Sequence, residues 1–250
     1  MQIFDFVACL VFGLFVSAGL ISNVVSGSSA GHLRDIILKS GLVGTLIGLV
    51  ATLAMLNEPE GLLVAFNIAV LPIVYGWVLV GLHWLFVRGG QAAKAKTIST
   101  GMAILTPSLW IATCMGAILY CGRYWVFFDK DAALAIAIGV YGLFVFASRD
   151  SKRDALQLVA QYLPILGLLI LGACSLFLAT MGVASDAGPA ASIGLLALLY
   201  ALTASTCLQL ALPHRVVPMG QWGRWLYVSS ASVVSLFLFG LVLFKLSRHL

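Results

Sequence analysis

Few side chains in this chain can do chemistry, and the most suggestive ones stand at helical spacing inside apolar runs. In GLVGTLIGLVAT, residues Gly41, Gly44, Gly48, Ala51 and Thr52 recur so that small side chains share one face, with Thr45 beside them. A threonine hydroxyl there either returns its hydrogen bond to the carbonyl of the preceding turn or lines a polar path. Pro72, inside a later apolar run, lacks an amide proton and kinks its helix, which frees a carbonyl for a neighbour to satisfy. Thr45, Thr52 and Pro72 are therefore the candidates for a polar pathway. A proton path also needs an ionisable acid at depth, and the apolar runs offer no carboxylate near their middles. Asp5, at the start of the first run, reads as interfacial and solvated, while Asn23 and Asn67 cannot carry protons.

Other chemistry finds no residues to carry it. The histidines His32, His83, His214 and His249 form no His-x-x-His or His/Cys cluster. The cysteines Cys9, Cys114, Cys121, Cys174 and Cys207 have no CxxC spacing and read as small packing residues. No paired acids and no nucleophile with a base can be assembled. The expectation is a non-enzyme with no catalytic residue, no metal and no cofactor.

The elements that must position these residues follow from composition. The chain has 250 residues, 62% of them hydrophobic and 9% charged, with a mean hydropathy of +1.08, which excludes an ordinary soluble domain. A helix needs about 20 apolar residues to cross the hydrocarbon core. Eight such spans fit, roughly 3–25, 36–56, 61–87, 98–121, 131–148, 158–182, 188–212 and 225–247, leaving no room for a soluble nucleotide-binding domain. The predicted fold is an all-α polytopic membrane protein. Gly41 answers to Gly167, Gly61 to Gly188 and Tyr75 to Tyr200 at an offset of half the chain, so the spans divide into two tandem four-helix repeats, 1–124 and 125–250. Four spans per unit keep both copies in one orientation, a parallel repeat.

Basic residues set topology by side. Arg34, Lys39, Arg88, Lys94, Lys96, Arg149, Lys152, Arg153, Arg215 and Arg224 fall after odd-numbered spans, against Arg123, Lys130, Lys245 and Arg248 on the other side. Both termini are expected outside, and nucleic acid is not needed to explain the positive charge.

The hairpin Gly41–Gly76 resembles the last two membrane helices of the MotA/TolQ/ExbB ion-channel family, most closely flagellar stator subunits. Gly41, Gly44, Thr45, Gly48 and Leu49 fit the family's GxxGTxxGL. Glu58 and Pro59 resemble its acidic-proline turn, and Ala65, Ala69, Leu71, Tyr75 and Gly76 fit its last helix without a gap. The second copy keeps Pro164 and Gly167 of the pore-helix opening, then Gly188, Pro189, Ala190, Leu195, Leu196 and Tyr200. It has Leu171 where the first has Thr45. Pro72 and Ile73 in one copy, and Ala197 and Leu198 in the other, replace the family's paired threonines.

The resemblance implies a subunit of a bacterial inner membrane, surrounded by lipid, that packs around the transmembrane helix of a single-span partner bearing a membrane aspartate. It implies a homo- or hetero-oligomer that takes part in proton or sodium flow coupled to work. The family's large cytoplasmic region has no counterpart beyond Ser148 to Leu156. Two other readings stay open: a non-conducting scaffold of a larger complex, and a small-solute transporter built from parallel repeats.

Overall fold

In the computed structural model, the residues described are 5–53, 59–86, 97–122, 124–148, 155–180, 187–213 and 230. Long apolar stretches leave the backbone no water to bond, so it satisfies itself within helices. The result is α1 (Phe6–Ser26), α2 (Ala30–Leu53), α3 (Pro59–Phe86), α4 (Thr100–Tyr120), a 3-10 turn (Tyr124–Phe127), α5 (Lys130–Ser148), α6 (Ala155–Thr180) and α7 (Ala187–Ala211). Six of these, all but α5, present described stretches long and apolar enough to cross a membrane. This is the architecture of an integral membrane protein. The expected eighth span, 225–247, lies outside the described residues, as do Glu58 and the rest of 54–58.

Local chemistry sets the boundaries. The carboxylate of Asp5 caps α1 by accepting from the Ala8 amide at 2.8 Å, and Ser99 caps α4 from Met102. Asp129 does the same for α5, accepting from Asp131 at 2.9 Å and Ala132 at 2.8 Å. Gly27, at φ 60°, ends α1 in the left-handed conformation that only glycine adopts cheaply.

Two hairpins, α2 with α3 and α6 with α7, are the most extensively packed pairs. They meet where α2 and α4 pack on α7, while α1 packs on α2 and α4, and α5 on α6 and α7. The helices differ sharply in cover: 83% of the apolar window of α2 is buried and 61% of that of α7, against 28% for α3. The core therefore sits around α2 and α7, with the other helices facing lipid on one side. Phe15 of α1 and Trp110 of α4, both fully buried, stack at 4.6 Å between centroids and close the space beside α2.

Candidate functional site

The stripe of small residues on α2 is consumed by α3. A Cβ placed on Gly41 would stand 2.7 Å from the Pro72 carbonyl oxygen and 3.2 Å from the Ile73 Cα. One on Gly44 would meet the Pro72 ring at 2.8 Å, and one on Gly48 the Cα and Cβ of Ala69 at 2.6 Å. Backbones approach this closely only when side chains are absent.

The second hairpin repeats the Gly41 contacts position by position. A Cβ on Gly167 would meet the Leu198 Cα at 3.0 Å, the Ala197 carbonyl oxygen at 3.3 Å and the Ala201 Cβ at 2.8 Å. Gly194, which stands where Ala69 does, would meet Cys174, which stands where Gly48 does, at 3.0 Å. The small partner has changed sides, but the close crossing is kept. The two tyrosines also do one job twice: Tyr75 accepts from the Asp5 amide at 3.4 Å and Tyr200 from the Asp129 amide at 3.2 Å, each tying a capping aspartate to the third helix of its half. Tyr200 further donates to the Phe127 carbonyl. Pro59 is the first residue of α3, and Gly188 and Pro189 lie in the first turn of α7.

The pathway candidates are not brought together as a polar line. Thr45, buried, accepts from the Ile73 amide at 3.1 Å. Pro72, without an amide proton, interrupts the ladder of α3 beside that bond, and the threonine ties the next amide to α2. The second half has Ala197 in place of the proline and Leu171 in place of the threonine. Proline and hydroxyl are thus present together or absent together. Thr52, also buried, donates to the Gly48 carbonyl one turn back at 2.7 Å. Thr52 and Pro72, with Gly44, Gly48, Ala69 and Asp5, line an apolar cavity of about 320 Å³ between α1, α2, α3 and α4.

The charged site lies elsewhere, and it corrects one sequence reading: Arg34 and Lys39 are not loop residues. A buried carboxylate that sequence reasoning did not weigh stands toward the start of α2. Helix α2 begins at Ala30, so Asp35 and Lys39 fall inside it, about 8 and 14 Å along its axis. Both are about 5% exposed (4% and 5%) and form an i,i+4 ion pair at 3.2 Å. α7 satisfies both: Gln209 Nε2 donates to Asp35 Oδ2 at 2.6 Å, and Lys39 Nζ donates to Ser205 Oγ at 3.0 Å. Ser205 in turn donates to the Ala160 carbonyl of α6. One layer further, Ser22 of α1 and Thr106 of α4 both donate to the Leu210 carbonyl, at 3.3 and 3.2 Å. This polar layer joins α1, α2, α4, α6 and α7. Within it the buried Gln209 Oε1 makes no hydrogen bond to the described residues. His32, one turn before Asp35, is buried as well.

Charges survive at such depth only when paired and hydrogen-bonded, because desolvating each costs several kcal/mol. Here Asp35 Oδ2 and Lys39 Nζ each have a partner across the helix interface. A further ionisable contact of α2 is Arg34 Nε, which donates to His83 Nδ1 at 3.0 Å and links α2 to α3. Among the described residues, no group of three or more His, Cys, Asp or Glu is arranged to hold a metal. Sequence reasoning missed Asp35 because a hydropathy window discounts a charge near a span end. The signal was the i,i+4 spacing of an acid and a base flanked by apolar residues. Comparison with protein-family models, curated proteins and solved structures finds no match to this chain.

Proposed function

We propose that the chain is a non-enzymatic integral membrane subunit of MotA/TolQ/ExbB-like descent, built as two tandem four-helix units, that packs around a partner's transmembrane helix. The observation that carries this is the doubled crossing: Gly41 on Pro72 and Ile73, Gly167 on Ala197 and Leu198, with Tyr75 and Tyr200 each holding the amide of a capping aspartate. Chance packing of unrelated helices does not repeat a backbone contact residue by residue at offsets this close, Gly41 to Gly167, Ile73 to Leu198 and Asp5 to Asp129. The remaining basic residues, with Arg34 and Lys39 removed from the loops, keep their asymmetry and support an orientation with both termini outside; the bacterial inner membrane is what the family resemblance implies. The test is gentle purification from native membranes with identification of what accompanies the chain. A single-span protein with a membrane aspartate is expected, and a lone species would end the proposal.

A second reading, participation in proton or sodium flow, is favoured by the Asp35–Lys39 pair and the open acceptor on Gln209. A buried polar atom without a partner suits a water or a passing ion. In proteoliposomes containing the chain with its partner, Asp35→Asn made together with Lys39→Met, which leaves no unpaired buried charge, should abolish flux while leaving the partner bound. Unchanged flux removes Asp35 from the path, and no flux in the parent leaves the non-conducting scaffold as the function.

A further inference from the structure

The cavity of about 320 Å³ between α1, α2, α3 and α4 has the size of pockets that hold small organic ligands, about 300–1,000 Å³. Its α2 wall is Gly44, Gly48, Ala51 and Thr52, about 12 Å of helix. At the offset that pairs Gly41 with Gly167, α6 carries Ile170, Cys174, Phe177 and Leu178 in their place. The room is therefore written in the side chains of the first half and is not a by-product of the hairpin, a comparison that rests on the duplication proposed above. Thr52 offers the cavity no donor, because its hydroxyl is spent on the Gly48 carbonyl. An apolar cavity of this kind stays dry and takes apolar matter.

Polar groups gather at one end of it. Asp5, which caps α1, and Tyr120, in the last turn of α4 and 71% exposed, line that end, while Gly44 and Pro72 line the other. One carboxylate oxygen of Asp5 accepts from the Ala8 amide, and Asp5 makes no ion pair among the described residues. α1 packs on α3 and on α4, but α3 and α4 form no comparable interface among the described residues, so the cavity is not closed between them. The site is an apolar slot with an anionic mouth at the level where the spans begin and end.

We propose that this cavity binds an acyl chain of a phospholipid with an amine headgroup, the chain lying along α2 from Thr52 to Gly44 and the ammonium resting on Asp5. A flexible chain fits the space, whereas a partner's transmembrane helix, about 10–12 Å across with its side chains, is too thick for it. Charge selects the headgroup. A carboxylate at the mouth attracts an ammonium and disfavours a lipid of net negative charge.

The test begins with the full chain purified in mild detergent, mixed with equal amounts of phosphatidylethanolamine and phosphatidylglycerol, and read by native mass spectrometry. The parent should keep phosphatidylethanolamine under conditions that strip phosphatidylglycerol. Ala51→Phe, which places the α6 side chain in the cavity, should lose the bound lipid. Asp5→Asn keeps the cap of α1, since Asn caps about as well as Asp, and should retain the two lipids alike. A parent that keeps neither lipid, or variants that keep phosphatidylethanolamine as the parent does, overturn the proposal. A second measurement needs no substitution: phosphatidylethanolamine with a photoreactive group on its acyl chain should label Ile47 or Ile68 of the cavity wall in the unsubstituted chain. Labelling confined to the outward Leu10, Val74 and Val78 overturns it equally. The partner found in the purification above reports separately on the subunit reading, so the two can fail independently.

Discussion

Replacing Thr45 with valine isolates one hydrogen bond. The two side chains are nearly the same shape, so no cavity forms and the steric fit of α2 on α3 is unchanged. What is lost is the acceptor 3.1 Å from the Ile73 amide. Ile73 is 6% exposed, so its amide cannot turn to water. Leaving a buried donor unsatisfied costs about 1–3 kcal/mol, roughly a fivefold to 150-fold shift in the folding equilibrium. The same reasoning makes the cost conditional on Pro72. With Pro72→Ala the ladder of α3 closes and the hairpin takes the combination already present in the second half, Leu171 with Ala197. Thr45→Val should then cost little in the Pro72→Ala background, giving a coupling of about 1 kcal/mol or more. The assay is reversible denaturant unfolding in mixed micelles for the parent, both single variants and the double. A Thr45→Val variant within about 0.5 kcal/mol of the parent, or two effects that simply add, would refute the argument that the hydroxyl serves the kink.

Lys39→Met should destabilise by about 3–5 kcal/mol, because Asp35 is left charged and buried, while Asp35→Leu with Lys39→Met together should be close to neutral; the same unfolding assay separates the two outcomes. Gly41→Val should disrupt the α2–α3 crossing because its Cβ would stand 2.7 Å from a backbone oxygen, whereas Gly13→Val, with nothing within 4 Å, serves as the tolerated control; folded yield after detergent extraction reads the difference. Tyr200→Phe should cost more than Tyr75→Phe, since Tyr200 both accepts from Asp129 and donates to Phe127, while Tyr75 is shown accepting from Asp5 alone. Thermal melts of the two variants check the order.

The helices were legible because a bilayer imposes length and hydropathy on every span, and the glycine faces because close crossings demand small residues at fixed spacing. The beginning of α2 was not legible. Placing a span boundary just after Asp35 is what local hydropathy dictates, yet the helix runs through Asp35 and Lys39 because Gln209 and Ser205, 174 and 166 residues away, accept the burden of their charge. Nothing within one window of sequence announces such partners. Thr45 was ambiguous for the same reason. Its two sequence readings were a local bond and a polar path, and the structure shows a third, an amide 28 residues away on α3, next to Pro72.

The buried pair on α2 also has a timing consequence. At about 5–20 residues per second, α2 leaves the ribosome roughly ten to thirty seconds before Gln209 is made. Through that interval Asp35 and Lys39 have no α7 to meet, and a lone charge within a span costs up to about 2.5–3.5 kcal/mol on insertion, the figure for a helix centre. Their i,i+4 spacing lets each neutralise the other while they wait. The nascent first half can thus be held in the bilayer as a provisional bundle, and the arrival of α7 is the event that commits it.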